Sequence, residues 1–500
     1  MSVFALSPLA PKQFWQWPSR RVALQTMSSP SWVKNAIFYQ IFPDRFRRAG
    51  RQGLPEASGP FENWNSPPTI RGFKGGSLWG IAEKLDYLAA MGFNAIYLNP
   101  IFASSANHRY HTSDYLKIDP ILGGEVAFRH LLNEAHARGM RIILDGVFNH
   151  SGRGFFPFNH LLENGAASPY QNWYYIKDFP LRAYNGKPNY EAWWGNPELP
   201  KLQIETPEVR NYILHVAEHW IRFGADGWRL DVPEEIKDLG FWADFRQRVK
   251  LANPEAYIVG EIWHEAPDWV WPAGPFDAVM NYPLGRGILG YVGGEKLNRQ
   301  LAAQSGLGQL PHLDGAGWLE WTQRVLLAYP ETMRTAQLNL LTSHDTPRLL
   351  TMFNGEAERA ALALELLFTL PGAPSVYYGD EIGLAGGHDP DNRRAFPWNE
   401  TQWNQEIKRR VKNIIILRKK LDDLRLPDWQ PACAESERMA FWRGRLLITV
   451  NASAQPWLVG TTCSDVETRK GLLYGNGSES DRGGHASATV AGHTLEIWAP

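Results

Sequence analysis

Short runs of apolar residues, rich in β-branched and aromatic side chains, alternate with longer segments whose apolar positions recur at helical spacing. Eight such runs are Ala36–Ile41, Ala95–Leu98, Arg141–Phe148, Gly227–Asp231, Ala256–Glu261, Ala278–Asn281, Ala336–Ser343 and Ser375–Gly379. Amphipathic segments such as Leu78–Met91, Phe128–Ala137 and Val209–Phe223 lie between most of them. Eight buried strands that alternate with helices predict an α/β protein built on a (β/α)8 TIM barrel. A doubly wound open sheet is the alternative that this pattern leaves open.

Two parts of the chain depart from the alternation. The connection from Ser151 to about Pro207 is too long for an ordinary βα loop, so we expect an inserted subdomain after the third strand. Past about Leu424 the runs RLLITVNAS and ASATVAGHTLEIWA, with their Gly/Ser/Asn turns, predict a C-terminal antiparallel β-sandwich domain. We therefore expect an N-terminal extension at 1–31, the barrel at 32–150 and 208–423, the inserted subdomain at 151–207 and the β domain at 424–500.

The charge balance narrows the class of ligand. The chain has 51 Lys+Arg and 52 Asp+Glu, so no net field favours nucleic acid or an anionic membrane, and we expect a neutral ligand. The 22 Trp change this picture further, because indole rings stack on the apolar faces of sugars. For any single Trp, a place in the core is the commoner explanation.

Cysteine usage and the N-terminus bear on location. Only Cys433 and Cys463 occur, so a disulfide framework is absent and we expect a reduced, cytoplasmic setting. The first residues, MSVFALSPLAPKQFWQWPSRR, have no basic region before an apolar run and no stretch long enough for a membrane span.

Acidic residues close several of the predicted strands. Asp231 ends GWRLD, Glu261 ends AYIVGE, and Asp345 follows AQLNLLTSH, which are the fourth, fifth and seventh strands. On a (β/α)8 barrel, functional side chains lie at the C-terminal ends of strands, where these three would meet. A single strand-end carboxylate is more often a helix N-cap or a loop charge. The three together predict an active site.

The neighbours of these carboxylates strengthen that prediction. Arg229 lies two residues before Asp231, so both point to one face of the strand and the arginine is expected to keep the carboxylate ionised. Trp263 gives Glu261 a partly apolar setting that would raise its pKa, as a general acid requires. His344, next to the third carboxylate, is suited to sugar hydroxyls.

Four segments resemble, in the same order, the four sequence regions of glycoside hydrolase family 13, the α-amylase family. They are DGVFNH (Asp145–His150), GWRLDVPEE (Gly227–Glu235), GEIW (Gly260–Trp263) and LLTSHD (Leu340–Asp345). YQIFPDRF (Tyr39–Phe46) and PSVYYGDEIGL (Pro374–Leu384) resemble that family's first-strand and eighth-strand segments. The resemblance runs from about Trp32 to the C-terminus.

The resemblance implies a role for each matching residue. Asp231 matches the catalytic nucleophile, Glu261 the general acid/base and Asp345 the third carboxylate, which binds ring hydroxyls. The candidate substrate-binding residues are Arg229, which positions the nucleophile, His150 and His344, which bond hydroxyls, Tyr110, which stacks under the sugar, and also Trp263, Asp145 and Arg348. Asp145 is more often structural in this family. These roles imply a retaining mechanism through a covalent glycosyl-enzyme, released by water or by another sugar.

Further motifs resemble the neopullulanase, cyclomaltodextrinase and maltogenic amylase subgroup. LPKLQ (Leu199–Gln203), YEAWWG (Tyr190–Gly195) and HRYHTSDY (His108–Tyr115) carry this resemblance, and Trp193 and Trp194 would suit stacking on glucose. The subgroup implies α-1,4 and sometimes α-1,6 cleavage in maltooligosaccharides, cyclodextrins, pullulan or starch-derived glucans. Glu234–Glu235 differ from the pairs of related enzymes near the acceptor side. About thirty residues precede the barrel, in place of the subgroup's β-sandwich, so we expect a monomer or weak homodimer.

No cofactor or metal is expected. Many relatives hold calcium on an Asp/Asn-rich loop after the first strand, but RRAGRQGLPEASGP offers no such cluster. Two alternatives stay open. The first is an α-glucanotransferase or α-1,6-debranching enzyme on the same scaffold, and the second is a non-catalytic, amylase-like binding protein, which the presence of all three carboxylates disfavours.

Overall fold

The computed structural model describes residues 29–49, 61–459, 471–475, 478–482 and 485–499, and its centre is a ring of parallel strands. In chain order, the strands from the first to the last strand of the ring are β1 (Phe38–Ile41), β2 (Ala95–Leu98), β3 (Phe102–Ser104), β4 (Thr112–Ile118), β5 (Arg141–Gly146), β6 (Gly227–Leu230), β7 (Tyr257–Gly260), β8 (Ala278–Val279), β9 (Leu338–Leu340) and β10 (Ala373–Tyr377). All except the antiparallel pair β3–β4 belong to the ring.

The ring is closed, because the two strands at the ends of its hydrogen-bonded order also pair with each other. That order is β8-β7-β6-β5-β2-β1-β10-β9, and a parallel bridge between Met280 and Leu338 joins β8 to β9. Asn281 N–H donates to the Leu338 carbonyl at 2.7 Å, which completes the seam. The predicted (β/α)8 barrel is confirmed, and the open-sheet alternative is wrong because an open sheet has two unpaired edges.

Helices lie around the ring and in the loops that follow its strands. They are α1 (Pro43–Phe46), α2 (Leu78–Ala82), α3 (Leu85–Met91), α4 (Gly124–Ala137), α5 (Phe156–Asn164), α6 (Pro207–Phe223), α7 (Leu239–Ala252), α8 (Tyr282–Gly293), α9 (Arg299–Ala303), α10 (Gly315–Leu327), α11 (Glu331–Arg334), α12 (Leu349–Met352), α13 (Ala357–Thr369) and α14 (Gln405–Lys420).

Helix α6 shows how the sequence specifies one of these helices. Pro207 occupies its first turn, where the missing N–H costs nothing, and Gly224 at φ 124° ends it. Its buried side chains, including Val209, Ile213 and Trp220, recur at three- and four-residue spacing and face the barrel. The helix thus begins at the proline and ends at the glycine, as these two residue types predict.

One connection has no α-helix. Between β7 and β8 the chain forms only the 3-10 turn Pro267–Trp269, because three prolines interrupt the segment HEAPDWVWPAGP. A small apolar cluster including Ile262, Val270 and Tyr329 packs beneath it. This irregular loop begins directly after Glu261.

The long connection between β5 and α6 follows the prediction of an insertion. It contains α5 and short antiparallel bridges, among them His150 with Lys201 and Ala192 with Pro200. The segment therefore lies over the C-terminal end of β5. Its expected bounds, like those of the other domains, remain predictions.

The C-terminal part is an antiparallel β domain, as predicted. Its strands are β11 (Gln430–Glu435), β12 (Arg438–Arg443), β13 (Leu446–Asn451), β14 (Trp457–Leu458), β15 (Gly471–Tyr474), β16 (Ser478–Arg482), β17 (His485–Val490) and β18 (Thr494–Ala499). They form a five-stranded sheet, β11-β12-β13-β18-β15, and a three-stranded sheet, β14-β17-β16. Buried side chains such as Phe441 and Ile497 belong to the same apolar core as the barrel.

Two further observations bear on the sequence-based expectations. Cys433 is disulfide-bonded, so the expectation of reduced cysteines is wrong for this residue; Cys463 lies outside the described residues. Among the helices of the described ranges, none combines the length and apolarity needed to cross a membrane.

Candidate active site

Arg229 is the centre of the polar cluster at the C-terminal mouth of the barrel. It lies on β6 and is fully buried, and its Nη1 is 3.0 Å from Asp231 Oδ1 and 2.7 Å from Asp145 Oδ1. Its Nη2 is 2.9 Å from Glu261 Oε1. Asp231 follows β6 and Glu261 follows β7, which are neighbouring parallel strands, so their ends meet at one edge. One guanidinium therefore holds three carboxylates together.

Because three carboxylates share Arg229, the charge state expected for Asp231, the candidate nucleophile, changes. Burial raises the pKa of Asp231, the nearby Glu261 raises it further, and Arg229 lowers it too little to reverse the direction. Burial also raises the pKa of Glu261, to about 7. The pKa of Asp231 thus moves opposite to the expectation that Arg229 keeps this carboxylate ionised, since the same cation serves three acids. The two carboxyls titrate as a pair that holds a proton near neutral pH.

Glu261 receives two further hydrogen bonds. Trp263 Nε1 donates to Oε1 at 3.2 Å and Val232 N–H donates to Oε2 at 3.1 Å. The Trp263 ring stacks on Tyr282 with centroids 3.6 Å apart, which fixes the orientation of its N–H. Val232 has φ 35° and ψ 53°, a left-handed conformation that costs a β-branched residue roughly 1–3 kcal/mol. The backbone is thus strained where it meets the carboxylate.

Asp345 is the most exposed of the three candidate catalytic carboxylates, with 34% of its side chain accessible. His344 Nε2 lies 3.1 Å from its Oδ2 and Arg393 Nη2 donates to its Oδ1 at 3.4 Å. Gln40 Nε2 lies 3.0 Å from His344 Nδ1, an arrangement in which Nδ1 accepts and Nε2 carries the proton. Burial and nearby arginines hold the pKa of His344 well below its usual value, so this histidine is neutral.

Tyr110 lines the floor of the cluster. Its ring is parallel to that of His344, with centroids 5.3 Å apart and an interplanar angle of 2°. Its hydroxyl donates to Asp145 Oδ2 at 2.9 Å, and Tyr97 donates to the same oxygen at 2.7 Å. Asp145 is 1% exposed and its oxygens are occupied by Arg229 and the two tyrosines. It supports the cluster from below, as a structural residue would.

His150 is close to the inserted segment. The ring of Trp193 stacks on it at 5.3 Å, and Trp194 stacks on Trp193 at 4.5 Å. Trp194 is 86% exposed and has φ 52°, again in the left-handed region. His150 Nε2 is buried without a hydrogen-bond partner, and burial lowers the pKa of the ring to about 3. A neutral imidazole with an unused nitrogen is suited to a hydroxyl.

Arg348 is not part of the open cluster. Its guanidinium is fully buried, donates to the Asn392 carbonyl at 2.7 Å and lies 3.3 Å from Asp380. Asn392 in turn donates to the carbonyls of His344 and Thr346. The structure therefore gives Arg348 partners that hold the Asp345 loop rather than a place against a ligand.

Three residues of the site escaped the sequence analysis. Arg393 contacts Asp345 and also donates to the His344 carbonyl at 3.0 Å, while Gln40 and Asn99 bond the His344–Tyr110 pair. Gln40 lies within YQIFPDRF, whose resemblance singled out no residue, and Asn99 follows β2 directly. The acidic and basic run DPDNRR, just after the eighth strand, was the signal that could have pointed to Arg393.

The oxygen and nitrogen side chains of the cleft bear on the question of a metal ion. Within the ranges that the structure describes, no three His, Cys, Asp or Glu side chains are grouped as metal ligands. Asn149 Oδ1 is buried without a partner, but a single oxygen falls short of the six to eight that calcium takes. The expectation that no calcium is bound depended on the segment RRAGRQGLPEASGP. Most of this segment lies outside the described residues.

Comparisons with known proteins show which sequences and folds this chain resembles. The family profile described as Alpha amylase, catalytic domain, matches residues 40–455. A cyclomaltodextrinase of Geobacillus thermopakistaniensis (strain MAS1) is 43% identical over 411 residues, which are 82% of this chain and 66% of that enzyme. The crystal structure of Ttha1563 from Thermus thermophilus is 55% identical, with a TM-score of 0.89, over 94% of this chain and 100% of that one. An acarbose-soaked debranching enzyme from Nostoc punctiforme is 43% identical, with a TM-score of 0.84, over 95% of this chain and 100% of that one.

Proposed function

From the premise that the chain belongs to the α-amylase family and is a glycosidase, we propose that it is a retaining hydrolase of α-1,4-linked glucans that also accepts α-1,6 links. Its substrates are maltooligosaccharides, cyclodextrins, pullulan or starch-derived glucans. The observation that carries the proposal is the contact of one buried guanidinium, Arg229, with both Asp231 and Glu261. This contact supports the assignment of a nucleophile and an acid to two neighbouring side chains.

The proposed reaction has two steps. Asp231 attacks the anomeric carbon while Glu261 protonates the glycosidic oxygen, which gives a covalent glycosyl-enzyme. Glu261 then accepts a proton from water, which attacks the same carbon and releases Asp231. Two inversions give net retention, which requires carboxyl groups about 5–5.5 Å apart. Contacts of 3.0 Å and 2.9 Å to the two terminal nitrogens of Arg229 keep both carboxyls beside one guanidinium.

The sugar at the cleavage point would lie over Tyr110. Asp345, with its exposed oxygens, would accept hydrogen bonds from ring hydroxyls, and His344 and Arg393 hold it in place. Because these interactions strengthen as the ring distorts toward the transition state, they contribute more to turnover than to ground-state binding. His150 Nε2 would meet another hydroxyl.

Asp231→Asn tests the chemistry. Asn cannot form the glycosyl ester, so we expect hydrolysis of maltotriose to fall by more than about 10³-fold, in line with the loss of other catalytic nucleophiles. Asp244→Asn, which alters a half-exposed partner of Arg210, is the control and should leave turnover near that of the wild type. A wild type that turns over no α-glucan would support the non-catalytic alternative and overturn the proposal.

A second candidate keeps the chemistry and changes the product. The similarity to the Nostoc punctiforme debranching enzyme favours α-1,6 cleavage as the main activity. Product analysis on maltotriose, γ-cyclodextrin and pullulan separates the two: panose from pullulan supports the neopullulanase-like proposal, maltotriose indicates debranching, and longer oligosaccharides from maltotriose indicate glucan transfer.

A further inference from the structure

A pair of charged side chains joins the two loops that carry the reacting carboxylates. Glu234 lies in the 3-10 turn Pro233–Glu235, which begins two residues after Asp231, and His264 lies three residues after Glu261. His264 Nε2 is 2.8 Å from Glu234 Oε1. The pair therefore bridges the ends of β6 and β7 above the cleft.

The strained Val232 comes directly before the bridged turn, as its N-cap residue. Its left-handed backbone, at φ 35°, aims the N–H at Glu261 Oε2 at 3.1 Å. A β-branched residue avoids this conformation, so the surrounding contacts must hold it there. The far end of the turn is held as well, because Lys201 Nζ donates to the Glu235 carbonyl at 3.2 Å. The turn is thus fixed from the β7 loop and from the inserted segment.

Both ring nitrogens of His264 face acceptors. Nε2 meets the Glu234 carboxylate, and Nδ1 lies 3.0 Å from the Glu265 carbonyl. Burial lowers the pKa of His264, but these two acceptors outweigh it and raise the pKa above its usual value. The other charges nearby are the Glu265 carboxylate, paired with Arg324, and the Lys201–Glu235 pair. Because both ring nitrogens face oxygen acceptors, this geometry suits the doubly protonated ring, in which the bridge is an ion pair between imidazolium and carboxylate.

We infer that the Glu234–His264 ion pair is a positioning element, which holds the strained turn so that the Val232 amide bonds to Glu261. The inference rests on the proposed function of Glu261 as the acid/base. The two side chains are 40% and 63% exposed, so the pair adds little to global stability and its effect is local.

The direction of the effect on Glu261 separates positioning from simple charge. Burial raises the pKa of Glu261, whereas Arg229 and the Val232 hydrogen bond lower it. Releasing the amide would therefore raise this pKa further. Removing the negative charge of Glu234 through space acts the other way, because an anion nearby disfavours a second one.

The experiment compares Glu234→Ala with Glu234→Gln. Both remove the same charge, but Gln keeps an acceptor for His264. We measure kcat/KM against pH for maltotriose and for an aryl α-maltotrioside, whose good leaving group needs no proton. In Glu234→Ala we expect kcat/KM for maltotriose to fall about twofold to fivefold, as far as an exposed ion pair allows. The alkaline limb should move up by about 0.5 pH unit, while the aryl substrate changes less than twofold.

The remaining variants complete the comparison. His264→Ala should match Glu234→Ala, the double variant should be no worse than either, and Glu234→Gln should lose less and show no upward shift. Asp86→Asn is the control, because it breaks an exposed pair between Asp86 on α3 and Arg138 at the end of α4. A downward shift of the alkaline limb in both Glu234 variants would overturn the inference, because through-space charge would then explain the effect. Losses of kcat/KM that add up in the double variant would also overturn it. Absence of turnover by the wild type would instead refute the proposed function.

Discussion

Arg229 illustrates how much of this cleft depends on one side chain. Its contacts with Asp145, Asp231 and Glu261 leave three acids to share one cation. In a buried setting, like charges this close cannot all ionise, so the pair of reacting carboxyls retains a proton at neutral pH. That proton is what the first step of a retaining mechanism consumes.

The retained proton predicts the pH dependence. With the pKa of Glu261 raised to about 7, the acid is protonated below pH 7 and loses its proton above it. We therefore expect kcat/KM on maltotriose to fall as pH rises through about 7. Glu261→Gln should abolish this limb and lower kcat/KM by about 10²–10⁴-fold. An alkaline limb that persists in Glu261→Gln would contradict the assignment.

Arg393 supplies a second prediction at this scale. Its guanidinium contacts Asp345 and the His344 carbonyl, so Arg393→Ala should leave the carboxylate misplaced and without its cation. We expect kcat/KM to fall about 10–100-fold, less than for a fully buried pair because Asp345 is partly exposed. Arg394→Ala removes the adjacent guanidinium, which pairs with Asp391, and is the matched control. Equal losses in both variants would show that Arg393 has no particular role.

Among the secondary-structure elements, the strands were the most predictable. Ala95–Leu98 has the same bounds in the sequence pattern and in β2, because apolar runs between turns specify buried parallel strands. The hairpin β3–β4 was missed, since TSDYLKI alternates only weakly and pairs with a three-residue strand.

Arg393 was missed for a different reason. Its contact with Asp345, 48 residues earlier, arises only when β10 closes the barrel next to β9.

One buried group joins helix α7 to the barrel. Asp277, just before β8, lies 2.8 Å from Arg246 Nη1 and 2.8 Å from Lys250 Nζ, and all three side chains are almost completely buried. Asp277→Asn would remove the buried negative charge that both cations contact, so we expect the free energy of unfolding to fall by about 3–5 kcal/mol. Urea denaturation measures this.

Asp244→Asn is the comparison for that variant. It breaks a pair with Arg210 whose acid is 49% exposed, and it should cost less than about 1 kcal/mol. If the two variants lose equal stability, the Asp277 network does not hold α7 as the contacts indicate.

For the whole molecule, the barrel and the C-terminal domain share one apolar core. Glu365 on α13 is paired with Arg410 on α14, and the Tyr474 hydroxyl of β15 donates to it, which ties the two parts together. We propose that this packing needs no metal ion. Exhaustive chelation should therefore leave both the melting temperature and the turnover of maltotriose unchanged. A loss that added calcium restores would show that a cation site exists after all.

The column formed by Trp193 and Trp194 also has an optical consequence. Two indoles 4.5 Å apart and within 11° of parallel couple their electronic transitions, and the outer one is open to solvent. Most other tryptophan rings of the described residues are at least partly buried, and six are almost fully enclosed. The molecule thus carries an intrinsic chromophore pair beside His150, whose circular dichroism and quenching by solutes report on the mouth of the cleft.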